Sequence, residues 1–160
     1  LGAGCRVVDA GTGAGAIALN FANVVGEKGR VFTYEIREDF AEVAQRNIDN
    51  FGINNIVVKN KDIKEGIDEQ QLDLIFLDLP KPFEIFEDVY KSLRLGGWLV
   101  VYAPYIDQAE VAYRIAKKLG FKDLSISEIL ERELEVRPQG TRPKTRMVGH
   151  TGYMVFARKL

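Results

Sequence analysis

Four carboxylates, Asp9, Glu35, Asp62 and Asp78, each close a short run of the chain: VVD, FTYE, NKD and IFLD. Three glycines at alternate positions, Gly11, Gly13 and Gly15, follow the first of them in DAGTGAGA. A turn without side chains lets the backbone bend sharply and a ligand approach. The helix expected after it offers unpaired N–H groups. Gly11, Gly13 and Ala16 also satisfy the dinucleotide pattern G-x-G-x-x-A, with Glu35 at the end of the second strand. Two ligands therefore compete for the turn. A pyrophosphate is anionic and is poorly served by acids at the tips of four successive strands. S-adenosylmethionine carries a sulfonium, an ammonium, ribose hydroxyls and an adenine amine, all of which favour carboxylate partners. The residues point to the methyl donor.

Gly11, Thr12, Gly13, Ala14 and Gly15, with Glu35, Ile36, Asp62, Ile63 and Asp78, form the candidate cofactor set. Plainer roles compete at some positions: Glu35 as a helix cap, Asp62 as a turn former, Asp9 as an anchor of the glycine turn. Asp78 stands before LPKPF, where Pro80 and Pro82 stiffen the backbone just after a strand tip. That is the setting a catalytic carboxylate needs.

The elements that must position these residues alternate in period. Cys5–Ala10, Arg30–Glu35, Ile56–Lys59, Leu72–Asp78 and Gly97–Ala103 read as strands. Between them, 37–51, 82–93 and 108–119 place apolar residues on one helical face, with Gly120 as a stop. Such alternation predicts an α/β fold, a parallel sheet covered by helices on both faces. Leu124–Val136 and Gly152–Lys159 read as two further strands. The 15 residues between them, rich in Pro, Gly and Arg, fit no helix, so the two strands should pair antiparallel. The expectation is a Rossmann-like sheet of seven strands whose last strand is antiparallel.

With 160 residues and 46% apolar content, the chain reads as one soluble domain. No apolar run is long enough to span a membrane, and no metal is expected. Cys5, the lone cysteine, reads as core filler and suits a reducing compartment such as the cytoplasm. The first residue is Leu1, and the first strand begins almost at once, as in a piece of a longer protein. The formal net charge of −1 is unevenly spread. From Val136 onward there are six basic residues and no acidic one, against 16 basic and 23 acidic before it. That asymmetry hints at an anionic partner for the C-terminal end.

The motifs DAGTGAG, YEIRE, KDI, LDLPKP, PYIDQ and RPKTRMVGHTGYMVFARK together resemble the tRNA adenine-N1-methyltransferases, which modify adenine at tRNA position 58. The resemblance runs over nearly the whole chain, and the last motif is its most specific piece. It implies a class I S-adenosylmethionine-dependent methyltransferase domain over 1–160. It also implies a cofactor site on Gly11, Gly13, Gly15, Glu35 and Asp62, a catalytic Asp78, and an active-site contribution from His150 and Thr151. Family members commonly form homotetramers. They carry a small N-terminal β domain and a cofactor-contacting segment that this chain lacks. Where they often have Asn before the Gln of PYIDQ, this chain has Asp107.

The chemistry is consistent with that class. Adenine N1 is itself a nucleophile, and a carboxylate accepting from the exocyclic amine stabilises the charge that alkylation creates. A base inside folded RNA must leave its stack to react, which calls for cationic contacts around the cleft. Arg142, Lys144 and Arg146 are the candidates for tRNA binding. His150, the only histidine, is expected inside the last hairpin. Two other readings remain open: a class I methyltransferase acting on another substrate, such as a corrin precursor, and a catalytically silent RNA-binding subunit.

Overall fold

The computed structural model describes residues 1–160. Strands β1 (Arg6–Ala10), β2 (Arg30–Glu35), β3 (Ile56–Asn60), β4 (Leu72–Leu77) and β5 (Leu93–Ala103) are parallel. They are followed by β6 (Lys122–Glu128), β7 (Leu134–Arg137), β8 (Gly140–Pro143) and β9 (Tyr153–Arg158). The seven-stranded sheet has the order β3-β2-β1-β4-β5-β9-β6, and β9 runs antiparallel to both of its neighbours. This is the expected α/β sheet with its antiparallel last strand. The chain winds outward from β1 to β3, then restarts at β4 on the other side of β1. The crevice at the carboxyl ends of β1 and β4 is therefore the topological switch point, where open α/β sheets bind ligands.

Helices α1 (Ala16–Val25), α2 (Glu38–Asn50), α3 (Phe86–Ser92) and α4 (Ile106–Lys118) form because their small or apolar residues recur on one face. Ala109, Ala112 and Ala116 let α4 lie close on the sheet, all fully buried. Glu38 and Asp39 in the first turn of α2 and Lys117 and Lys118 in the last turn of α4 complement the helix dipoles. One core gathers Ile75, Leu77, Leu99 and Val101 beneath α3 and α4. A smaller one joins Val7 and Val31 to Ala18, Ala22 and Val25 of α1, with Cys5 packed at its edge. On that second face, Leu74, Phe76, Trp98, Val100 and Phe156 line an open groove of about 520 Å³, which α1 borders with Ile17, Asn20 and Phe21. No helix is long and apolar enough to cross a membrane.

The C-terminal third departs from the expected outline. The run Leu124–Val136 is not one strand. β6 stops at Glu128, and β7 pairs with β8 in a separate two-stranded ribbon. The connection expected to lack structure thus holds a hairpin of its own, with Gly140 at φ 142°. Alternation is lost at the break, where Ile129 and Leu130 stand side by side before the charged run Glu131–Glu133, and it resumes at Leu134. The 82–93 segment also divides, into a 3-10 turn at Pro82–Ile85 and the short α3.

Candidate active site

Each glycine of the first turn has a different reason to lack a side chain. A Cβ on Gly11 would stand 3.1 Å from the Asp78 carbonyl oxygen. The Asp78 N–H donates to the Ala10 carbonyl at 2.6 Å, so the two strand tips are locked together there. Gly13 and Gly15 have φ of 53° and 87°, in the left-handed region that glycine tolerates. A Cβ on Gly15 would stand 3.4 Å from Ala44 of α2, whereas a Cβ on Gly13 would meet nothing within 4 Å. Gly13 faces open space, and it is the position where a ligand can approach the backbone.

Register places the acids on one face of the sheet. Asp9 pairs with Thr33 and Phe76, so Asp9, Glu35 and Asp78 point the same way. Asp9 is wholly buried. Its Oδ2 accepts from the Thr33 hydroxyl at 2.7 Å, and Thr33 Oγ1 lies 2.6 Å from Thr12 Oγ1. Its Oδ1 has no partner. Burial pushes its pKa up to about 7, helped by the charges of Asp78 and Glu35 and opposed by the Thr33 bond. An orphan buried oxygen between two further acids suits a cation or a donor.

Glu35 is nearly buried and already oriented. Its Oε2 accepts from the Gly13 N–H at 2.9 Å, and Oε1 accepts from the Arg37 N–H at 3.1 Å. Lone pairs remain on both oxygens for a pair of hydroxyls. Asn60 steadies the same turn by donating to the Glu35 and Ile36 carbonyls at 2.9 and 3.3 Å. Ile36 beside it presents an exposed apolar side chain. Asp62 caps the 3-10 turn Ile63–Glu65 by accepting from the Lys64 N–H at 2.9 Å. The turn-former role is therefore real, and the remaining carboxylate oxygen stays available.

Two of the expected residues offer backbone rather than side chain. The Thr12 hydroxyl turns inward to Thr33, and Ile63 sits in the main core. Asp78 follows β4 directly, and its carboxylate makes neither a hydrogen bond nor an ion pair. Partial burial raises its pKa. No Lys or Arg is paired with Asp9, Glu35 or Asp78. The crevice is a cluster of acids around a glycine turn, fit for a cationic ligand rich in hydroxyls and unfit for a pyrophosphate.

His150 is exposed rather than inside a hairpin. Its Nδ1 lies 3.2 Å from Glu128 Oε1 and its Nε2 lies 2.7 Å from the Pro104 carbonyl. With acceptors on both nitrogens the imidazolium is favoured, and the Glu128 carboxylate holds the pKa above its ordinary value. Thr151 donates to the Ile129 carbonyl at 2.9 Å, and its own carbonyl accepts from Tyr102 at 2.8 Å. His150 and Thr151 thus fasten the approach to β9 onto the ends of β5 and β6, the same edge of the sheet that bears Asp78.

Arg142 lies on the ribbon and Lys144 directly after it, and neither is free. Arg142 lies 3.8 Å from Glu135, which also pairs with Arg137 at 2.6 Å, and Lys144 pairs with Glu133. A count of charges along the chain misses this, because the glutamates precede Val136 in sequence and meet the cations only when the hairpin folds. Arg146 forms no ion pair. Thr33, Asn60 and Tyr102 also shape the site, and no sequence signal singles them out. They are ordinary strand residues until the register is known.

The fold is that of the S-adenosylmethionine-dependent methyltransferases. A SAM-dependent O-methyltransferase from Thermotoga maritima superposes with a TM-score of 0.95 at 36% identity, covering 99% of this chain and 60% of that one. A tRNA (m1A58) methyltransferase, TrmI, from Aquifex aeolicus gives 0.90 at 32%, covering 100% and 64%. The family model described as the tRNA methyltransferase complex GCD14 subunit matches residues 1–142, and the chain belongs to that family. A relative from Methanocaldococcus jannaschii, tRNA (adenine(57)-N(1)/adenine(58)-N(1))-methyltransferase TrmI, is 40% identical over 97% of this chain. The chain spans 64% of that relative's length.

The buried Asp9 predicts a pH dependence of stability. Its folded pKa of about 7 lies above the unfolded carboxylate value of about 3.9. The folded state therefore binds the extra proton, and stability falls as pH rises through that interval and levels off above it. Urea unfolding at several pH values between 4 and 8 should show the Asp9→Asn variant losing less stability than the parent over this window. Parallel curves for the two would mean that Asp9 is ionised throughout.

Proposed function

We propose that the protein containing this chain transfers a methyl group from S-adenosylmethionine to N1 of adenine in the T-loop of tRNA. The observation that carries the reading is the unpaired Asp78 beside the acid-lined glycine turn, in a chain of the tRNA methyltransferase family. When bound, the cofactor supplies an electrophilic methyl on a sulfonium. Glu35 would hold the ribose hydroxyls, with Asp62 and the exposed Ile36 toward the adenine end. The Gly11–Gly15 backbone gives the cofactor room to approach, and the unpartnered Asp9 oxygen beneath it can accept from a donor. Asp78 would accept a hydrogen bond from the exocyclic amine of the target base and stabilise the positive charge that grows on the ring. His150 and Thr151 hold the wall next to Asp78 in place.

The ribbon has two unlike faces, and we assign them two partners. Cross-strand pairing puts Leu134, Val136, Thr141 and Pro143 on one side and Glu135, Arg137 and Arg142 on the other. Leu134 and Val136 are exposed, and a two-stranded hairpin alone is marginally stable in water. Neighbouring copies in a homotetramer would cover the apolar side. The charged side, with Lys144 and Arg146, would meet tRNA phosphates, which would have to displace Glu133 and Glu135 from their cations. Cytoplasmic tRNA is the substrate this assembly suits.

Three outcomes test the proposal on the full-length protein. Glu35→Ala should weaken cofactor binding by about 1.5–3 kcal/mol, the scale of hydrogen bonds to a charged group. Calorimetry showing unchanged affinity removes Glu35 from the site. Neutralising Arg142, Lys144 and Arg146 together should weaken tRNA binding and flatten its salt dependence, with cofactor affinity unaltered. An unchanged salt slope would make these residues internal partners of the ribbon only.

The decisive test concerns Asp78. Asp78→Asn keeps the shape and loses the anion, so the single-turnover methylation rate at saturating tRNA and cofactor should fall by roughly 10²–10³. Primer extension on the parent's product should stop at the modified adenine, because N1-methylation blocks pairing. No stop on tRNA would overturn the substrate, and a rate within a few fold of the parent would overturn the role of Asp78.

A further inference from the structure

Tyr34 precedes Glu35 in β2, so its side chain points to the opposite face of the sheet, away from the crevice. It is buried, yet its hydroxyl is the hub of a polar cluster. The hydroxyl donates to Glu69 Oε2 at 2.6 Å and accepts from the Asp68 N–H at 3.1 Å and from Lys59 Nζ at 3.3 Å. Lys59, paired with Tyr34 across β2 and β3, also reaches Asp68 at 2.9 Å and is in contact with Glu69. Lys61 adds a bond to the other Asp68 oxygen at 2.7 Å. Glu69 is buried, and the Tyr34 phenol is held above its ordinary pKa by burial and by that carboxylate.

All of these contacts fall on Asp68 and Glu69, in the connection between β3 and β4. The same connection carries Asp62 and Ile63 on its way out of β3. The core packing of Ile63 and Ile67, the cap from Asp62, the Lys64–Glu84 ion pair at 2.6 Å and the Gln70–Ser92 bond at 3.3 Å also tie it down, but this cluster is its buried anchor to β2 and β3. A buried ionic cluster is weak evidence of net stability, since desolvation offsets most of the attraction. What it does supply is direction: Tyr34 and Lys59 admit one placement of the 66–69 backbone. The main chain of Tyr34 meanwhile accepts from the Thr12 N–H at 3.2 Å, and Lys61 N–H donates to the Glu35 carbonyl at 3.0 Å. Tyr34 and its neighbour Glu35 together thus link the glycine turn, the start of the 61–71 connection and, through the Tyr34 hydroxyl, its far end at Asp68 and Glu69.

We propose that Tyr34, Lys59 and Glu69 form a positioning clamp behind the cofactor site, which sets the Asp62–Ile63 turn and so controls cofactor affinity without touching the cofactor. The clamp rests on the assignment of Glu35 and Asp62 to the nucleoside end. It acts on binding and not on the methyl-transfer step, which depends on Asp78 in the neighbouring strand.

Tyr34→Phe is the variant of choice, because Lys59 still neutralises Glu69 and the ring still fills the core. In the full-length protein, its dissociation constant for S-adenosylmethionine should rise about 5- to 20-fold, the effect of losing one or two hydrogen bonds. The rate at saturating cofactor should stay within about twofold of the parent, since no interaction made only in the transition state is lost. Amides of residues 61–66 should exchange faster in the cofactor-free variant. Asp73→Asn is the control. Asp73 bonds the Arg6 N–H and Arg94 at the opposite end of the sheet, so its loss lowers stability while leaving cofactor affinity and the 61–66 amides unchanged.

Unchanged affinity in a folded Tyr34→Phe protein overturns the clamp, as does an equal loss of affinity in Asp73→Asn. If Tyr34→Phe does not fold, Glu69→Gln serves in its place, with the same measurements and the same two results overturning the clamp. A parent that does not bind S-adenosylmethionine refutes the functional reading. The clamp's effect on residues 61–66 is then still decided by exchange.

Discussion

Everything at the carboxyl edge of the sheet depends on how closely β1 approaches the end of β4. The Asp78 N–H bonds the Ala10 carbonyl at 2.6 Å, and the Asp78 carbonyl sits where a Gly11 side chain would begin. At this contact the chain after β1 turns away through left-handed glycines, and Asp9 and Asp78 are held on the face that register gives to Glu35 of β2 as well. Glu35 then fixes the turn from the side through the Gly13 N–H. A larger residue at Gly11 would separate the strand tips and disperse the acids, whatever the rest of the fold did.

The concentration of like charge has a physical consequence that the fold must absorb. Three acids cannot sit together in a partly dry crevice fully ionised without cost. The deepest, Asp9, responds with a pKa near 7, and its one hydrogen-bond donor is supplied by Thr33. Glu35 is stabilised by two backbone N–H groups, and Asp78 stays closest to water. The three acids are thus graded from buried to exposed. The deepest can hold a proton, the middle one is an oriented acceptor and the outermost is free to engage a substrate.

Most of this is legible in the chain because the signals are local. Alternating periods point to the parallel sheet, and alternate glycines after a strand locate the crevice. The acids at strand ends can be read as one cluster because parallel strands bring their carboxyl ends to one edge. What the sequence conceals is pairing between distant segments. Thr33 looks like any strand threonine until register sets it against Asp9. The alternation of Leu124–Val136 is interrupted at Ile129–Glu133, beside the break after Glu128, but nothing local says that the residues beyond it pair with β8 and not with β9. Two strands in succession suggest a hairpin around His150, but the ribbon takes that place in the chain and leaves the histidine outside, between Glu128 and Pro104.

The charge on the ribbon shows why a one-dimensional count misleads. The segment from Val136 is wholly basic in sequence, yet β7 delivers Glu135, and the residue before it in the chain, Glu133, to the same cations. These exposed pairs are individually weak, worth roughly 0–1 kcal/mol. They neutralise the surface at long range without preventing a phosphate from replacing a carboxylate at short range. In the proposed tRNA role, such a ribbon would discriminate by geometry more than by net charge, giving up its internal pairs where several phosphates match the spacing of Arg142, Lys144 and Arg146. Its other side exposes Leu134 and Val136, and the proposed neighbouring copy would cover them. The two requirements are compatible because alternation along a strand assigns them to opposite faces.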